Sequence, residues 1–205
     1  MIRLLGIDPG LDGAFAVVDL HQDGQLPHLL EVRGTPTLWY TMARTKKRRR
    51  DYDVVGMHGM LAAAQSRGTV TIGGVYLERQ GARPGQGVTS TFSTGMGFGL
   101  WRGLVVGAGL PLVTVQPQVW RRVCGLGKGK AASLRVVLER FPTQFPSHLR
   151  RHDGAADAVL LAYFGFLKTR ANPSNDPLRV ADGGFEGRVD PGADAAPAPV
   201  EQGDP

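Results

Sequence analysis

Three short apolar runs open the chain and predict strands. Residues 2–7 are largely apolar and lead to Asp8, which a Pro-Gly pair follows. The chain must turn there, because proline cannot donate to a sheet ladder and glycine permits positive φ. Residues 14–18 return as a second strand, and residues 28–32 add a third. The pattern therefore predicts an antiparallel meander at the start of the fold.

A later strand repeats the pattern of an apolar run that ends in an acid. Residues 70–77 predict a strand that leads directly to Glu78, and residues 111–115 predict a further short strand. An ionised carboxylate beside apolar strand residues is costly unless it is paired or bound to a cation. Aspartate is also common in turns, so Asp8 has two open interpretations here, a turn cap or a functional acid.

Apolar residues at helical spacing fill the stretches between and after these strands. The predicted helices cover residues 51–65, 92–108, 117–122, 131–141 and 152–168. In the first helix, Asp51 or Asp53 is suited to the N-cap position. The residues expected to form its buried stripe are Val54, Val55, Met57, Leu61 and Ala62. Together with the strands, these helices predict an α/β domain.

Glycine recurs every four residues in the second predicted helix. The glycines are Gly95, Gly99, Gly103 and Gly107. Glycine costs up to about 1 kcal/mol relative to alanine inside a helix, so four on one face need a reason. Close backbone approach is that reason, and it has two possible partners, the protein's own sheet or a second copy of the same helix.

Charge is divided unevenly along the 205 residues, a length that suits one domain. The whole chain has a net charge of +6, from 24 Lys and Arg against 18 Asp and Glu. Residues 171–205 hold two of the bases and seven of the acids, which leaves 22 against 11, a net +11, for residues 1–170. A domain that basic usually meets a polyanion, most often nucleic acid. The acidic remainder is rich in Pro, Gly and Ala, which predicts a disordered tail.

Two basic segments suit phosphate contact. Residues 44–50 hold six cations in seven positions with no apolar face, so they predict a solvated, mobile loop or arm. Residues 125–130 form a glycine-rich loop before a predicted helix, but glycine and Lys-Ser/Thr spacing exclude a Walker A motif. Lys128 and Lys130 in that loop still suit phosphate oxygens.

Four carboxylates stand at predicted strand ends or at a helix start: Asp8, Glu78, Asp153 and Asp157. Asp153 and Asp157 are four residues apart, so both can project from one helix face. Asp153 also suits an N-cap, whereas Asp157 has no basic partner four residues away. Oxygen ligands of this kind suit Mg²⁺ or Mn²⁺, and the sequence has no Cys/His cluster for zinc. Two such ions about 4 Å apart can activate water and stabilise the leaving 3′ oxygen in phosphodiester hydrolysis.

The length of the apolar runs, the N-terminal sequence and the cysteine content indicate the cellular location of the protein. No apolar run approaches the roughly 20 residues that a membrane span needs, and the N-terminus lacks a signal-peptide layout. The single cysteine, Cys124, excludes an intramolecular disulfide framework and suits a reducing compartment. We therefore expect a cytoplasmic protein without a membrane partner.

Five motifs, in this order, carry a family resemblance. They are Gly6-Ile7-Asp8-Pro9-Gly10, Tyr76-Leu77-Glu78-Arg79-Gln80, Phe98-Gly99-Leu100-Trp101, Gln116-Pro117-Gln118-Val119-Trp120 and His152-Asp153-Gly154-Ala155-Ala156-Asp157-Ala158. Over residues 1–167 the chain resembles the ribonuclease H-like superfamily, and within it the RuvC-like Holliday junction resolvases of bacteriophages and plastids. The resemblance implies a mixed five-stranded sheet flanked by helices, with a nuclease domain at residues 1–170 and the tail at 171–205.

The resemblance also implies an activity and its residues. Asp8, Glu78 and Asp157 match metal ligands of the family. The fourth ligand is Asp153, with His152 as the alternative, and Lys130 resembles a basic residue placed near the scissile phosphate. The implied enzyme is a homodimer in a bacterial or phage-infected cell. It binds two Mg²⁺ per active site, or Mn²⁺ in their place, and makes paired nicks in four-way junction DNA. The residues expected to contact DNA are Lys46, Lys47, Arg48, Arg49, Arg50, Arg79, Arg83, Arg121, Lys128 and Lys130.

Three other functions stay open on the sequence. One is a nuclease that trims several kinds of branched DNA during phage packaging. Another is nucleotide binding as in the actin and sugar-kinase superfamily, although that group needs a duplicated domain and a second phosphate loop, for which 205 residues leave no room. The last is junction binding without catalysis, against which the intact carboxylates argue.

Overall fold

A computed structural model of the protein describes residues 1–21, 26–82, 84–129 and 131–171. The strands are β1 (Ile2–Asp8), β2 (Ala14–Leu20), β3 (His28–Gly34), β4 (Thr37–Thr41), β5 (Arg48–Tyr52), β6 (Thr71–Glu78) and β7 (Leu112–Val115). The helices are α1 (Val54–Ser66), α2 (Val88–Gly107), α3 (Pro117–Val123), α4 (Ala132–Arg140) and α5 (Asp153–Ala171), with a 3-10 turn at Ser147–Leu149. Beyond residue 171, the predicted tail lies outside the described residues.

Five strands form one mixed sheet in the order β3-β2-β1-β6-β7. β2 is antiparallel to both β1 and β3, whereas β6 is parallel to β1 and β7 is parallel to β6. The predicted meander and mixed five-stranded sheet are therefore confirmed. Ile7 pairs with Leu77 in the parallel β1–β6 register, so Asp8 and Glu78, the next residues along, reach the same edge of the sheet.

Helices cover both faces of this sheet. α3, α4 and α5 share one apolar core with it, and α1 and α2 share the other. α5 can lie directly on β1 because Gly6 has no side chain, since a Cβ there would overlap the Ala158 carbonyl oxygen. No helix in the described ranges is long and apolar enough to cross a membrane.

Of the two N-cap candidates predicted for α1, Asp53 is confirmed, whereas Asp51 lies in β5, and the buried face of the helix differs from the predicted one. Asp53 is the N-cap, and its Oδ1 accepts a hydrogen bond from the Gly56 N–H at 2.9 Å. The helix buries Met57, Leu61 and Ala64, which follow the i, i+4, i+7 spacing of a narrow stripe. The expected burial of three further residues was wrong, because Val54, Val55 and Ala62 point into solvent.

Only the first part of the basic run forms the loop expected from its charges, because residues 44–47 lie in the connection between β4 and β5 and the next three residues form a strand. Arg48, Arg49 and Arg50 lie in β5, which pairs with β4 as a separate two-stranded antiparallel sheet. We call residues 37–52 the basic hairpin. A two-stranded ribbon with solvent on both faces needs no apolar side, so a run of cations can form a strand there. Tyr52 at its base is buried and joins the hairpin to the core.

The glycine face of α2 is open to solvent. Gly95, Gly99, Gly103 and Gly107 are all exposed, and a Cβ added at any of them would meet nothing within 4 Å. The helix instead packs through Gly97, Trp101 and Val105. Contact of the glycine stripe with the protein's own sheet, one of the two partners considered above, is therefore absent among the described residues.

Cys124 follows α3 and is buried. Its thiol donates a hydrogen bond to the Leu160 carbonyl oxygen at 3.5 Å. Burial raises the pKa of this thiol to about 12, against the opposing effect of Arg140. The thiol therefore stays protonated at neutral pH.

Candidate active site

Asp8 lies at the end of the central strand, where β1 meets the first turn. Its Oδ1 accepts a hydrogen bond from the Gly10 N–H at 3.3 Å. Burial raises the pKa of Asp8 to about 7, and the negative charge of Glu78 acts in the same direction, as does that of Asp157. Because burial and neighbouring negative charge both oppose ionisation of Asp8, the pocket favours either a proton or a positive ion there.

The start of α5 reaches this carboxylate because residue 154 is glycine. A Cβ on Gly154 would lie 2.8 Å from the Asp8 Oδ2 and the same distance from the Gly13 Cα. The first turn of α5 can therefore lie against the β1–β2 turn, which brings the helix carboxylates beside the strand carboxylate. The resemblance implies a metal ligand at Asp153, one residue before Gly154. The close approach of the helix to Asp8 and Gly13 explains why residue 154 itself is glycine.

Glu78 is held by two side-chain donors. The Trp120 indole N–H donates to Oε1 at 3.0 Å, and the Gln80 amide donates to Oε2 at 2.7 Å. Glu78 is only 8% exposed and Trp120 is fully buried. Gln80 and Trp120 belong to two of the five motifs, but their sequence context predicted no role for either. The signal that could have found them is their polar N–H groups, which need partners when they are buried.

Asp157 projects from the second turn of α5 and is half-buried. Its Oδ1 is buried and accepts no hydrogen bond from any residue that the structure describes. Burial raises the pKa of this carboxyl, whereas a hydrogen bond from Ser133 and the charge of Arg121 lower it, and Asp153 raises it. Ser133, at the start of α4, was not found from the sequence because nothing marks one serine in a helix as a carboxylate partner.

The two candidates for a fourth ligand lie in different surroundings. Asp153 is the first residue of α5, is exposed and lines the same cleft as Asp8 and Asp157. His152 Nδ1 accepts a hydrogen bond from the Ala155 N–H at 3.3 Å, and its Nε2 points toward Gly34. The imidazole, rather than Asp153, therefore acts as the side-chain cap of α5.

An open cleft of about 1040 Å³ lies over these acids. Asp8, Asp153 and Asp157 line it at the sheet edge. The basic hairpin contributes Tyr40, Met42, Arg49, Arg50, Asp51 and Tyr52, and the first two turns of α2 contribute Thr89, Ser90, Phe92, Ser93, Thr94 and Met96. The Tyr52 hydroxyl lies 3.2 Å from the Pro9 carbonyl oxygen and 3.1 Å from that of Ser93, so it joins the hairpin, the Asp8 turn and α2.

The residues expected to contact DNA differ in their position relative to this cleft. Arg49 and Arg50 line it, and Arg50 also pairs with Asp12 at 2.6 Å. Arg121 lies near Asp157, with its guanidinium over the Trp120 ring. The exposed cations outside the cleft lining are Lys46, Lys47, Arg48, Arg79 and Lys128. Arg83 and Lys130 lie outside the described residues.

Donor chemistry at the site fits a divalent cation of the Mg²⁺ type. The candidate ligands are carboxylates, the buried Asp157 Oδ1 has no hydrogen-bond partner among the described residues, and burial together with repulsion from neighbouring acids raises the pKa of Asp8. Over the described residues, however, no three His, Cys, Asp or Glu side chains lie close enough together to hold one ion. Side-chain reorientation is therefore needed before these acids can share an ion.

Sheet order and helix placement define the class of fold, which is ribonuclease H-like. Among solved structures the chain is similar to Thermus thermophilus RuvC in complex with Holliday junction substrate, with a TM-score of 0.57 and 18% identity over 84% of this chain and 97% of that one. A second Thermus thermophilus RuvC structure gives a TM-score of 0.56 and 21% identity over 82% and 96%. The chain thus has the RuvC-type fold. A fowlpox virus Holliday junction resolvase matches with a TM-score of 0.46 and 15% identity over 82% and 98%. No protein-family model and no curated protein sequence matches the chain.

Proposed function

We propose that this protein is a Mg²⁺-dependent, structure-selective DNA endonuclease that resolves four-way junctions. The observation that carries the proposal is the half-buried Asp8 on the central strand, with its pKa raised to about 7 by burial and by neighbouring acids. It lies in a cleft that arginines also line. Similarity in fold to RuvC bound to a Holliday junction supports the choice of substrate.

In this proposal the acids hold metal and the arginines hold DNA. Asp8, Glu78 and Asp157 bind Mg²⁺ or Mn²⁺, and Asp153 is the fourth ligand. Bound ions of this kind supply water activation and stabilise the leaving oxygen. Arg49 and Arg50 bind phosphates that enter the cleft, which raises affinity without selecting sequence. Trp120 and Gln80 orient the Glu78 carboxylate, and Ser133 orients that of Asp157.

The proposal includes a homodimer, because a four-way junction offers two equivalent strands to cut. The exposed glycine face of α2 is the proposed contact surface. It has no intrachain partner among the described residues, and glycine allows two helix backbones to approach closely. Two active sites related by a two-fold axis would then make symmetric nicks.

The direct test is cleavage of a radiolabelled four-way junction, with matched duplex and forked DNA as controls. We expect Mg²⁺-dependent nicks in the junction and little cutting of duplex. Asp8→Asn, Glu78→Gln and Asp157→Asn should each abolish cleavage while junction binding stays intact or tightens, because repulsion of phosphate decreases.

Three results would change the assignment. An Asp8→Asn protein with near-normal cutting would contradict the metal site. Equal cutting of forks, flaps and junctions would indicate the broader debranching nuclease. Tight junction binding with no cutting in Mg²⁺ or Mn²⁺ would indicate a non-catalytic binder.

A further inference from the structure

The basic hairpin carries exposed aromatic rings among its cations. Tyr40 is 49% exposed and Trp39 is 59% exposed. Successive strand residues face opposite sides, and the register pairs Tyr40 with Arg49, so this ring and this guanidinium share one face. On the other face the Arg48 guanidinium lies 4.9 Å from the centre of the Trp39 ring.

A further exposed ring lines the same cleft from a different element. Phe92, in the second turn of α2, is 71% exposed, and it lines the cleft together with Tyr40, Arg49 and the carboxylates at the sheet edge. The cleft therefore combines two accessible aromatic faces with cations and acids within one continuous space.

Charge restricts what can cover these rings. Five consecutive cations, residues 46–50, belong to the hairpin. An apolar protein partner would have to desolvate them, which is costly without matching acids. A polyanion with flat apolar groups satisfies both features, because its phosphates meet the cations and its bases stack on the rings.

Paired and unpaired DNA differ in whether the faces of their bases are accessible. In a duplex the base faces are covered by stacking and pairing, so a protein ring can reach them only where the stack opens. In unpaired segments each base has free faces, and stacking of one base on an aromatic side chain strengthens binding by roughly tenfold or more.

We propose that the cleft binds an unpaired segment of a DNA strand, with bases stacked on Tyr40 and Phe92 and the adjoining phosphates held by Arg49. The inference rests on the proposed action on DNA and deepens it. Selectivity for branched substrates then comes partly from recognition of unpaired nucleotides beside the carboxylates, in addition to the geometry of the junction.

Binding without cleavage tests this proposal. Fluorescence anisotropy in EDTA would compare a duplex that has a central bubble of unpaired thymines with a fully paired duplex of equal length. We expect Tyr40→Ala and Phe92→Ala each to weaken binding to the bubble DNA roughly tenfold, the lower part of the range for one lost stack. Affinity for the paired duplex should change less than twofold, because the cations remain.

Matched variants show whether the rings themselves matter. Tyr40→Phe keeps the ring and should retain bubble binding. Val106→Ala changes a residue that is 63% exposed near the other end of α2, and it should affect neither DNA. A 2-aminopurine base placed in the bubble should be quenched by the wild type and less so by Tyr40→Ala, provided that circular dichroism shows the variant folded.

Failure of the inference can be told from failure of the proposed function. Unchanged bubble affinity in both alanine variants, or equal losses on bubble and duplex, would overturn the stacking site even if wild-type protein cuts junctions. Selective loss on the bubble would support it even if no DNA is cut.

Discussion

At the scale of single residues, Asp8 is costly to the fold. Its pKa is raised from 3.8 to about 7, chiefly by burial and then by Glu78. Between about pH 4 and pH 7 the folded protein keeps a proton that the unfolded chain has lost. The free energy of unfolding therefore falls as the pH rises through this window and is level above it, as far as Asp8 is concerned.

Asp8→Asn should remove this loss of stability. In EDTA, the variant and the wild type should unfold at similar urea concentrations near pH 4. The variant should be more stable at pH 8, by a few kcal/mol at most, since one pKa unit is worth about 1.4 kcal/mol. Urea titrations across this pH range check the prediction. A difference in the free energy of unfolding between variant and wild type that stays the same at all pH values would contradict it.

Asp153 and His152 can be separated by comparing activity with stability. Because Asp153 is exposed and His152 caps α5, Asp153→Asn and Asp153→Ala should both change the free energy of unfolding by less than about 0.5 kcal/mol. Both should reduce cleavage by orders of magnitude if this acid binds metal. His152→Ala should cost about 1 kcal/mol of stability through the lost cap and keep most of the activity. Near-normal cleavage by both Asp153 variants, with a loss of orders of magnitude for His152→Ala, would make His152 the ligand.

Trp120→Phe tests the support of Glu78. The change keeps a ring in the core but removes the N–H that donates to Oε1 at 3.0 Å. Loss of a partner that orients a metal ligand typically costs 10- to 100-fold, so we expect roughly that loss in cleavage, with a higher Mg²⁺ requirement. Trp101→Phe is the matched control, because the buried Trp101 Nε1 has no hydrogen-bond partner in the described part of the chain. An unchanged Mg²⁺ titration for Trp120→Phe would exclude the orienting role.

At the scale of elements, the sequence predicted the strands and helices that have at least one buried face. β1 and β6 read as apolar runs because the sheet core covers them, and their final acids were visible as breaks in that pattern. The basic hairpin was missed because Thr37–Thr41 and Arg48–Tyr52 form a ribbon with solvent on both faces, which leaves no apolar alternation to read. The local run of charges predicted a loop, but in the structure the backbone of residues 48–52 pairs with β4 and forms a strand.

The exposed stripe of α2 predicts a variant that folds but does not associate. Gly99→Leu or Gly103→Leu should leave the monomer as stable or more stable, because the added side chain meets nothing within 4 Å and leucine favours helix by up to about 1 kcal/mol. If the stripe forms the dimer, these variants should be monomeric by light scattering and should nick plasmid cruciforms without linearising them.

Gly59→Leu is the control for these variants. Gly59 is exposed on α1 and also has nothing within 4 Å of an added Cβ, so its substitution should leave association unchanged. A Gly99→Leu protein that still associates and linearises plasmids would place the dimer contact elsewhere. Wild-type protein that stays monomeric on junction DNA would remove the paired-nick mechanism.

At the scale of the whole molecule, charge and fold were predictable, but the assembly of the site was not. Four acids at strand ends and at a helix start marked the candidate site, because topology brings such positions to one edge of the sheet. Gln80, which contacts Glu78, is only two residues away in sequence. Trp120 and Ser133 are distant in sequence from Glu78 and Asp157, and no local pattern connects such residues, so only the packed structure brings them together.

Basic charge on the hairpin should govern the dependence of DNA binding on salt. Each cation that neutralises a phosphate contributes about 0.9 to the slope of log K against log salt concentration. Arg48→Ala with Arg49→Ala should therefore lower the slope on duplex DNA by about 1.8 if both contact phosphates. Lys168→Ala with Arg170→Ala, at the far end of α5, is the charge-matched control and should leave the slope unchanged. Equal slopes for all three proteins would place the DNA elsewhere.

The buried thiol of Cys124 has a practical consequence for spectroscopy. It is the only cysteine of the chain, it is packed against α5, and its high pKa suppresses the reactive thiolate. The native protein should therefore react slowly with maleimide dyes. A cysteine introduced at an exposed position outside the glycine stripe, such as Thr45 in the hairpin turn or Val106 on α2, would then carry the only fluorophore. Energy transfer would follow the approach of DNA to one surface and of a second subunit to the other, without removal of the native cysteine.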